Sequence, residues 1–390
     1  MRLTILLLCI SLGTGFFTPP VIGQDRTSVT LLTGDPGSDL YSYFGHTGIR
    51  VTDSVRGTDV VYNYGVFDFN TPNFYLKFIS GKLLYQLDVF SWDNTLREYL
   101  YTGRRLTEQP LNLDPQTKAH LLTFLQRNAL PQNRLYLYDF FYDNCATRVR
   151  DVFEFAAEGA LSYPADSSHN DSSGRTFRDA LHRILQPHPW TIFGIDLLLG
   201  LPADRLMDYR HEMFLPDALS ANLTRTTIDG TPVAGLPEEI LPASPSPVRS
   251  GSYPLNPTLI FALLALTAMA SVVIRPGWWP SVADRVLDIF SGLGGLLLLF
   301  LWIGTDHGAV KTNLNILMLN PLVLVSGLWF SRPSRVITML RVVIGSLALA
   351  AGSVAPMLPQ DIHPAAACWG IAVGVRLLSR AFSEIPENEA

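Results

Sequence analysis

The chain has 390 residues, of which 48% are hydrophobic and only 16% are charged, whereas a soluble globular protein carries about 25% charged residues. Its formal net charge is −5. It therefore lacks the positive field that binds nucleic acid, and we expect no nucleic-acid partner. Charged residues are unevenly distributed: residues 24–250 have a soluble composition, and residues 251–380 are nearly without charge. The composition predicts a soluble domain joined to a membrane domain.

The N-terminus has the pattern of a secretory signal peptide. Arg2 precedes an apolar run at 3–17, and small residues near Gly23 provide a cleavage site. We expect residues 1–23 to be removed. A lipoprotein signal ending at Cys9 is the less favoured alternative, because the apolar run before Cys9 is short.

The exported part begins with patterns that are typical of strands. Residues 28–33 predict a short strand, and the runs 46–51 and 60–64, joined by a polar turn, predict a hairpin. Residues 83–90 alternate enough to predict a further strand. Aromatic residues are concentrated in 67–81, where packing over a small sheet is favoured over insertion into lipid.

Two helices are predicted after these strands. Asp114 and a following proline start the first, which is expected to run to about Asn128. An extended aromatic segment at 136–141 precedes the second, whose cap is Asp143 or Asn144. The second helix is indicated by apolar residues at helical spacing and by a glycine that ends it: Val149, Val152, Phe153, Ala156 and Gly159.

Cys145 falls in the first turn of the second helix. It is the single cysteine of the exported part, because Cys9 lies in the signal peptide and Cys368 in an apolar segment. Without a local disulfide partner, such a thiol is either inert and buried or reactive. The first turn offers unpaired backbone N–H groups and the positive end of the helix dipole, which can lower a thiol pKa and stabilise an oxyanion. Cys145 is therefore the candidate nucleophile.

His46 is the best candidate for the base that a thiol nucleophile needs. Gly45 and Gly48 flank it and leave the ring open to approach. The remaining histidines of the exported part lie among loop and helix-like residues, and we expect structural roles for His120, His169, His182, His188 and His211. No residues show the spacing of metal ligands, a phosphate loop or a Gly-x-Ser-x-Gly motif, so we expect neither a metal nor a cofactor.

Residues 229–256 are rich in proline, serine and glycine. This composition predicts a semi-extended tether, rather than a packed element, that keeps the soluble domain near the bilayer. We therefore expect a catalytic domain at 24–228, the tether, membrane-spanning helices within 257–382 and a short tail at 383–390.

Five apolar segments follow the tether, and each approaches the roughly 20 residues that a spanning helix needs: 257–274, 287–305, 316–331, 338–357 and 364–380. The loops on one side of these segments have Lys311 as their single Lys or Arg. Seven arginines cluster on the other side: Arg275, Arg285, Arg332, Arg335, Arg341, Arg376 and Arg380. This asymmetry predicts that the exported domain lies outside and the C-terminus in the cytoplasm.

The outer loop after the second apolar segment contains Asp306 and His307. Helix capping and interfacial hydrogen bonding are the favoured roles for these residues. A contribution to a site in the exported domain is the alternative.

Two motifs of the exported part resemble a known enzyme architecture. Residues 44–51 read Phe-Gly-His-Thr-Gly-Ile-Arg-Val, and residues 142–148 read Tyr-Asp-Asn-Cys-Ala-Thr-Arg. A strand that carries a histidine, followed later in the chain by a helix that begins with Asn-Cys, resembles circularly permuted papain-like domains. Lecithin retinol acyltransferase and the permuted NlpC-type proteins are examples of such domains. More closely, the chain resembles the Lnb-type lipoprotein N-acyltransferases, and further segments support this resemblance: 62–65, 190–194, 200–204 and 213–216.

The resemblance implies an α+β fold, with a circularly permuted papain-like (NlpC-like) domain in the periplasm followed by a five-helix transmembrane bundle in the bacterial inner membrane. It also implies that Cys145 takes an acyl chain from a phospholipid and passes it to the α-amine of a diacylated lipoprotein. His46 would act as the base and then as the acid. Oligomeric state is left open.

The residue that orients His46 is expected on the following strand in a papain-like order, which makes Asn63 the candidate. A slip of one residue in the hairpin would place Tyr62 or Tyr64 on the His46 face instead. Tyr142 and Asn144 are candidates for donating to an oxyanion, although helix capping is favoured for Asn144.

Two other functions remain open from the sequence. An envelope NlpC-like cysteine peptidase or amidase acting on peptidoglycan would use the same His46 and Cys145, but in a hydrophilic groove. A non-enzymatic membrane scaffold would need neither residue.

Overall fold

The computed structural model describes residues 26–39, 42–164, 175–244, 256–274, 279–328 and 334–383. The signal-peptide prediction, with Cys9, lies outside the described residues. So do His169, Arg275, Arg332 and residues 384–390 of the expected tail.

The soluble part of the described chain is an α+β domain with the following strands: β1 Thr27–Gly34, β2 His46–Asp53, β3 Thr58–Val66, β4 Leu84–Ser91, β5 Leu106–Pro110, β6 Leu135–Leu137, β7 Leu161–Ser162, β8 Thr227–Ile228, β9 Thr231–Pro232 and β10 Glu238–Leu241. Seven of them form one sheet in the order β10-β5-β1-β2-β3-β4-β6, and β7, β8 and β9 form a small second sheet. All the strand pairs are antiparallel.

The helices of the described soluble part are α1 Phe74–Ser80, α2 Trp92–Thr102, α3 Pro115–Asn128, α4 Cys145–Ala156, α5 Phe177–Leu185, α6 Pro189–Leu198, α7 Tyr209–Glu212 and α8 Pro216–Leu223. The helices of the described membrane part are α9 Pro257–Ile274, α10 Trp279–Gly304, α11 Leu322–Leu328, α12 Arg335–Ser353 and α13 Pro364–Ser383. The α+β soluble domain followed by a membrane domain confirms the predicted fold class at this level.

The large sheet is covered on both faces. α3 and α4 pack against one face, in a core that includes Leu31, Ile49, Leu121, Val149 and Phe153. On the other face, Tyr99 of α2 packs with Leu32, Val61 and Leu106. Burial on both faces holds the central strands β1, β2 and β3 rigidly, because their side chains alternate between two packed layers.

The tether prediction is wrong over the first part of 229–256. Glu238–Leu241 is strand β10, which pairs with β5 at the edge of the large sheet, and Val233 and Ala234 are buried. Pro237 and Pro242 immediately flank β10 rather than interrupt it. Proline is tolerated at the ends of an edge strand, so its abundance here does not signify an unpacked chain. Residues 245–255 lie outside the described residues.

Five segments of the described chain are long and apolar enough to cross a membrane: Pro257–Ile274, Val282–Gly304, Gly308–Gly327, Arg335–Ser353 and Pro364–Ser383. The third is not one continuous helix. Short 3₁₀ turns at Gly308–Val310 and Leu314–Leu317 precede α11. α12 packs closely on α13, where a Cβ at Gly374 would lie 2.7 Å from the Gly345 carbonyl oxygen. Glycine permits this approach of two helix backbones.

The soluble domain contacts the membrane part through α6. Phe193 of α6 lies 5.1 Å from Phe261 of α9, measured between ring centroids. Asn313 Nδ2 donates to the carbonyl oxygens of Leu197 and Leu198 at 2.8 and 3.0 Å. Hydrogen bonds between backbone and buried amides therefore hold the two parts together.

A buried ionic network lies beside this contact. Arg178 of α5 has a side chain that is fully buried, and it pairs with Asp196 and Asp204, each at 2.8 Å. Asp196 also accepts from His182 Nε2 at 2.8 Å, and this bond raises the pKa of His182. The Asp361 N–H, from the loop before α13, donates to Asp204 at 3.3 Å. The network thus joins α5 and α6 to a membrane loop.

Candidate active site

Cys145 is the first residue of α4, and a capping box fixes the start of this helix. Asn144 Oδ1 accepts from the N–H groups of Ala146 and Thr147 at 2.8 and 2.9 Å. Thr147 Oγ1 in return accepts from the Asn144 N–H at 2.7 Å. Reciprocal bonds of this kind satisfy the donors of the first helical turn, so the position of the thiol is set by its own sequence neighbours.

Asn144 acts as a cap, as the favoured sequence interpretation has it. Its Nδ2 donates to the carbonyl oxygens of Phe140 and Phe214 at 2.8 and 2.9 Å. An amide nitrogen has two hydrogens, so Asn144 has no donor left for an oxyanion. The alternative role of Asn144 as an oxyanion donor is wrong for this reason.

His46, the first residue of β2, contacts Asn63 of β3. His46 Nε2 lies 3.2 Å from Asn63 Oδ1, and Asn63 Nδ2 donates to the Val61 carbonyl oxygen at 3.3 Å. Because the Val61 carbonyl oxygen can only accept, the Asn63 side-chain atom that faces it is the nitrogen, and the atom that faces His46 is the oxygen. Because an oxygen only accepts here, Nε2 carries the proton and Nδ1 keeps the lone pair that can accept one.

The register of the hairpin decides between Asn63 and its two neighbours. Ile49 is opposite Tyr62, and a Cβ at Gly48 would lie 3.0 Å from Asn63 Oδ1. His46 and Asn63 therefore share one face of the sheet. Tyr62 and Tyr64 point to the other face, where they are 8% and 1% exposed in the core beneath α4.

The sulfur of Cys145 lies at the end of the strand pair that carries His46 and Asn63. The backbone N–H groups of Thr47, the residue after His46, of Ala146 and of Cys145 itself lie near enough to the sulfur to lower the pKa of the thiol. On β3, a Cβ at Gly65 would lie 3.6 Å from the Cys145 Cβ. Gly65 has φ +89, a conformation that glycine adopts without strain.

Burial controls the protonation of both groups. It raises the pKa of Cys145 and outweighs the three N–H groups and the Arg104 charge, which lower this pKa. Burial and Arg104 lower the pKa of His46 to about 4, against the opposing effect of the Asn63 bond. The expected lowering of the thiol pKa by the helix start is thus overturned by desolvation. At neutral pH the resting groups are a thiol and a neutral imidazole.

Arg104 and Tyr99 are site neighbours that the sequence did not indicate. Arg104 Nε donates to the Asp35 carbonyl oxygen at 2.7 Å, and its guanidinium lies 4.9 Å from the Tyr99 ring centroid. Arg104 Nη2 is buried and makes no hydrogen bond within the part of the chain that the structure describes. Tyr99 packs against Gly34, which is opposite His46 in the sheet. Their clustering depends on long-range strand pairing, so no local motif reveals it.

The remaining candidates lie elsewhere. Tyr142 is 41% exposed, and its ring contacts Phe141, Phe177 and His211. Asp306 and His307 bind the last turn of α1: the Asp306 N–H donates to the Ser80 carbonyl oxygen, and His307 Nε2 donates to that of Phe78, both at 2.9 Å. These are interfacial hydrogen bonds, the role that the sequence favoured.

The other described histidines of the soluble domain make local contacts. His120 lies 3.4 Å from Glu158, and His211 Nδ1 bonds to Asp208 at 2.6 Å. His188 stacks on Tyr43 with ring centroids 5.0 Å apart, and His182 belongs to the Arg178 network. Among the described residues, no group of three or more His, Cys, Asp or Glu side chains could hold a metal ion.

These features define the class of protein: an α+β domain with a half-buried thiol at a helix start, docked on a set of segments that are long and apolar enough to span a membrane. Comparison with known families agrees with this class. The Lnb N-terminal periplasmic domain matches residues 22–174, and the Lnb transmembrane domain matches residues 249–385. The chain therefore belongs to the Lnb family and is a membrane protein with a periplasmic N-terminal domain. No curated protein and no solved structure matches the chain significantly.

The raised pKa of Cys145 predicts slow alkylation at neutral pH. Burial raises the pKa of this thiol, so it is protonated at pH 7 and its rate of reaction with iodoacetamide should keep rising as the pH is raised through the ordinary range of thiol ionisation. Arg104→Met removes a charge that lowers this pKa and should shift the profile to higher pH. The measurement is the rate of Cys145 modification by mass spectrometry in a Cys368→Ser background.

Arg97→Met is the matched control, because Arg97 is an exposed arginine on α2 and should not move the profile. A rate that is already constant between pH 5 and 8 would show a preformed thiolate and contradict the neutral resting pair.

Proposed function

We propose that the chain is a lipoprotein N-acyltransferase. It moves an acyl chain from a phospholipid, through a thioester on Cys145, to the α-amine of a diacylglyceryl-cysteine lipoprotein. The observation that carries the proposal is the half-buried thiol at the start of α4, beside the strand end that carries the His46–Asn63 pair. Membership of the Lnb family and the docking of this domain on apolar spans support the same reaction.

In the first half-reaction, the Cys145 sulfur attacks the ester carbonyl carbon of the phospholipid. Because the resting groups are neutral, His46 Nδ1 takes the thiol proton as the S–C bond forms. The Cys145 N–H, in a helical turn without an intrahelical partner, and the Thr47 N–H are the donors placed to stabilise the oxyanion. When the C–O bond breaks, His46 returns the proton to the departing lysophospholipid oxygen.

In the second half-reaction, the lipoprotein α-amine attacks the thioester carbonyl. His46 Nδ1 takes a proton from the amine, and the C–S bond breaks to leave an amide. The proton on His46 then passes to the sulfur and restores the resting thiol. Asn63 acts as a positioning residue in both halves, because its oxygen holds the proton on Nε2 and so keeps Nδ1 free as the base.

Exclusion of water favours transfer to an amine over hydrolysis of the thioester. The site meets this requirement with aromatic neighbours: Cys145 belongs to the same apolar cluster as Tyr136 and Tyr138, and Tyr99 is 5% exposed. These apolar surroundings suit an acyl chain better than the peptide of the alternative NlpC-like peptidase. A non-enzymatic scaffold would have no use for a base held beside a half-buried thiol.

The proposal includes the topology. With the catalytic domain in the periplasm, the arginine-rich ends of the spans face the cytoplasm and the C-terminus lies there. Both substrates are anchored in the bilayer, so the reaction takes place where the domain meets the outer leaflet of the inner membrane. The catalytic domain extends beyond residue 228, because β10 belongs to its sheet.

Replacing the nucleophile tests the function directly. In a bacterial strain depleted of its own lipoprotein N-acyltransferase, the wild-type chain should add a third acyl chain to lipoprotein N-termini, as mass spectrometry would detect. Cys145→Ser should add none, whereas the control Cys368→Ser, at the other described free cysteine, should act as the wild type does. Muropeptide cleavage by the wild type without any lipoprotein acylation would instead support the peptidase.

Removing the positioning residue tests the assigned geometry. Asn63→Ala leaves the His46 ring without the bond that fixes its tautomer, so kcat should fall by about 10- to 100-fold, which is typical for loss of an orienting partner, with little change in KM. Tyr62→Phe is the control, because Tyr62 points into the core and should keep the wild-type kcat. A larger loss with Tyr62→Phe than with Asn63→Ala would contradict the register of the site.

A further inference from the structure

Helix α1 presents an exposed apolar surface. Tyr75 and Leu76 are 73% and 70% exposed, and Phe78 and Ile79 are 48% and 44% exposed. Phe74 is the buried residue of this helix. Four neighbouring apolar side chains on a seven-residue helix form a continuous patch rather than isolated exposed residues. Patches of this kind mark interaction surfaces.

The last turn of α1 is joined to the outer end of a membrane span. Its carbonyl oxygens at Phe78 and Ser80 accept the bonds from His307 and Asp306. A Cβ at Gly81 would lie only 3.1 Å from the backbone nitrogen of His307. Because α10 and its apolar span end at Gly304, these contacts place α1 at the level where the hydrocarbon region ends.

A row of aromatic rings leads from α1 into the soluble domain. The ring centroids are 6.2 Å apart for Phe78 and Phe74, 5.9 Å for Phe74 and Phe67, and 5.2 Å for Phe67 and Tyr85. Tyr85 stacks on Tyr138 at 4.4 Å. We name these five residues the aromatic row.

The aromatic row ends beside the nucleophile. Tyr138 and Cys145 pack against the same apolar cluster, which includes Tyr85. The charge of an ionised Cys145 would raise the pKa of Tyr138, which agrees with their proximity. Aromatic side chains in contact with one another therefore run from the outer end of a membrane span to the apolar cluster that holds Cys145.

We propose that α1 inserts its exposed face into the outer leaflet, and that the aromatic row guides the acyl chain of a phospholipid from the leaflet to Cys145. An acyl chain suits this surface because it presents no polar group that would be left without a hydrogen bond, whereas a peptide backbone would. Lys77 on the same helix supplies a cation for the phosphate, and its stem can reach along the apolar surface. The guiding role rests on the proposed function, but the insertion of α1 does not.

A charge on the patch tests the guiding role. In proteoliposomes of phosphatidylethanolamine and phosphatidylglycerol, Leu76→Glu with Ile79→Glu should lower the rate of Cys145 acylation at least about tenfold, because two apolar contacts with lipid are lost. Acylation of the same variant by the water-soluble ester p-nitrophenyl acetate should stay within about twofold of the wild type, because this ester needs no route from the bilayer.

Val55→Glu is the matched control. Val55 is 72% exposed in the turn between β2 and β3, so the added charge should change neither rate. If the double variant is acylated from vesicles at the wild-type rate, the guiding role is overturned and the proposed function stands. If the wild type reacts with the soluble ester but never with phospholipid, the proposed function is overturned instead.

The insertion of α1 has its own readout, which needs no reaction. A fluorophore at Leu76→Cys, in a chain with Cys145→Ser and Cys368→Ser, should be quenched by phospholipids brominated on their acyl chains. The same fluorophore at Val55→Cys should not be quenched. Equal quenching at the two positions, or none at Leu76→Cys, would overturn the insertion.

Discussion

Partial desolvation of Cys145 and His46 is the physical constraint on which the chemistry of this site depends. Burial raises the thiol pKa and lowers the imidazole pKa, so both groups rest uncharged, and the backbone N–H groups around the sulfur cannot reverse this effect. A neutral pair is a slower nucleophile than a preformed thiolate. In the proposed reaction, a site that limits access of water would protect the thioester until an amine replaces water as the acceptor.

The rest of the fold can be understood as the means of keeping this site at a membrane surface. The sheet is packed on both faces, which fixes the strand ends that carry His46 and Gly65. The capping box fixes the start of α4. The contacts of Asn313 and of the Arg178 network hold the domain against the membrane part. These contacts fix the orientation of the soluble domain relative to the membrane part, which a flexible tether alone would not achieve.

The sequence predicted the features that depend on local patterns. The alternation in 46–64 predicted the hairpin, but only its register in the structure decides for Asn63 over Tyr62 and Tyr64. The helix at Cys145 was predicted from apolar spacing, with Asp143 or Asn144 as its cap, and the structure shows that the cap is Asn144. Features set by distant contacts could not be predicted. Glu238 in β10 pairs with Glu108 in β5, 130 positions away in the chain. No local pattern shows this pairing, so the proline-rich residues around Glu238 were interpreted as a tether. Arg104, and the balance of burial against helix N–H groups at the thiol, are visible only in the folded chain.

Acyl transfer through Cys145 is tested most directly by the intact mass of the purified chain after a single turnover with a diacyl phospholipid whose two acyl chains are identical and of known mass. We expect a mass increase of one acyl group, located on Cys145 and released by hydroxylamine, which cleaves thioesters. No adduct, or an adduct on any other residue, would contradict acyl transfer through Cys145.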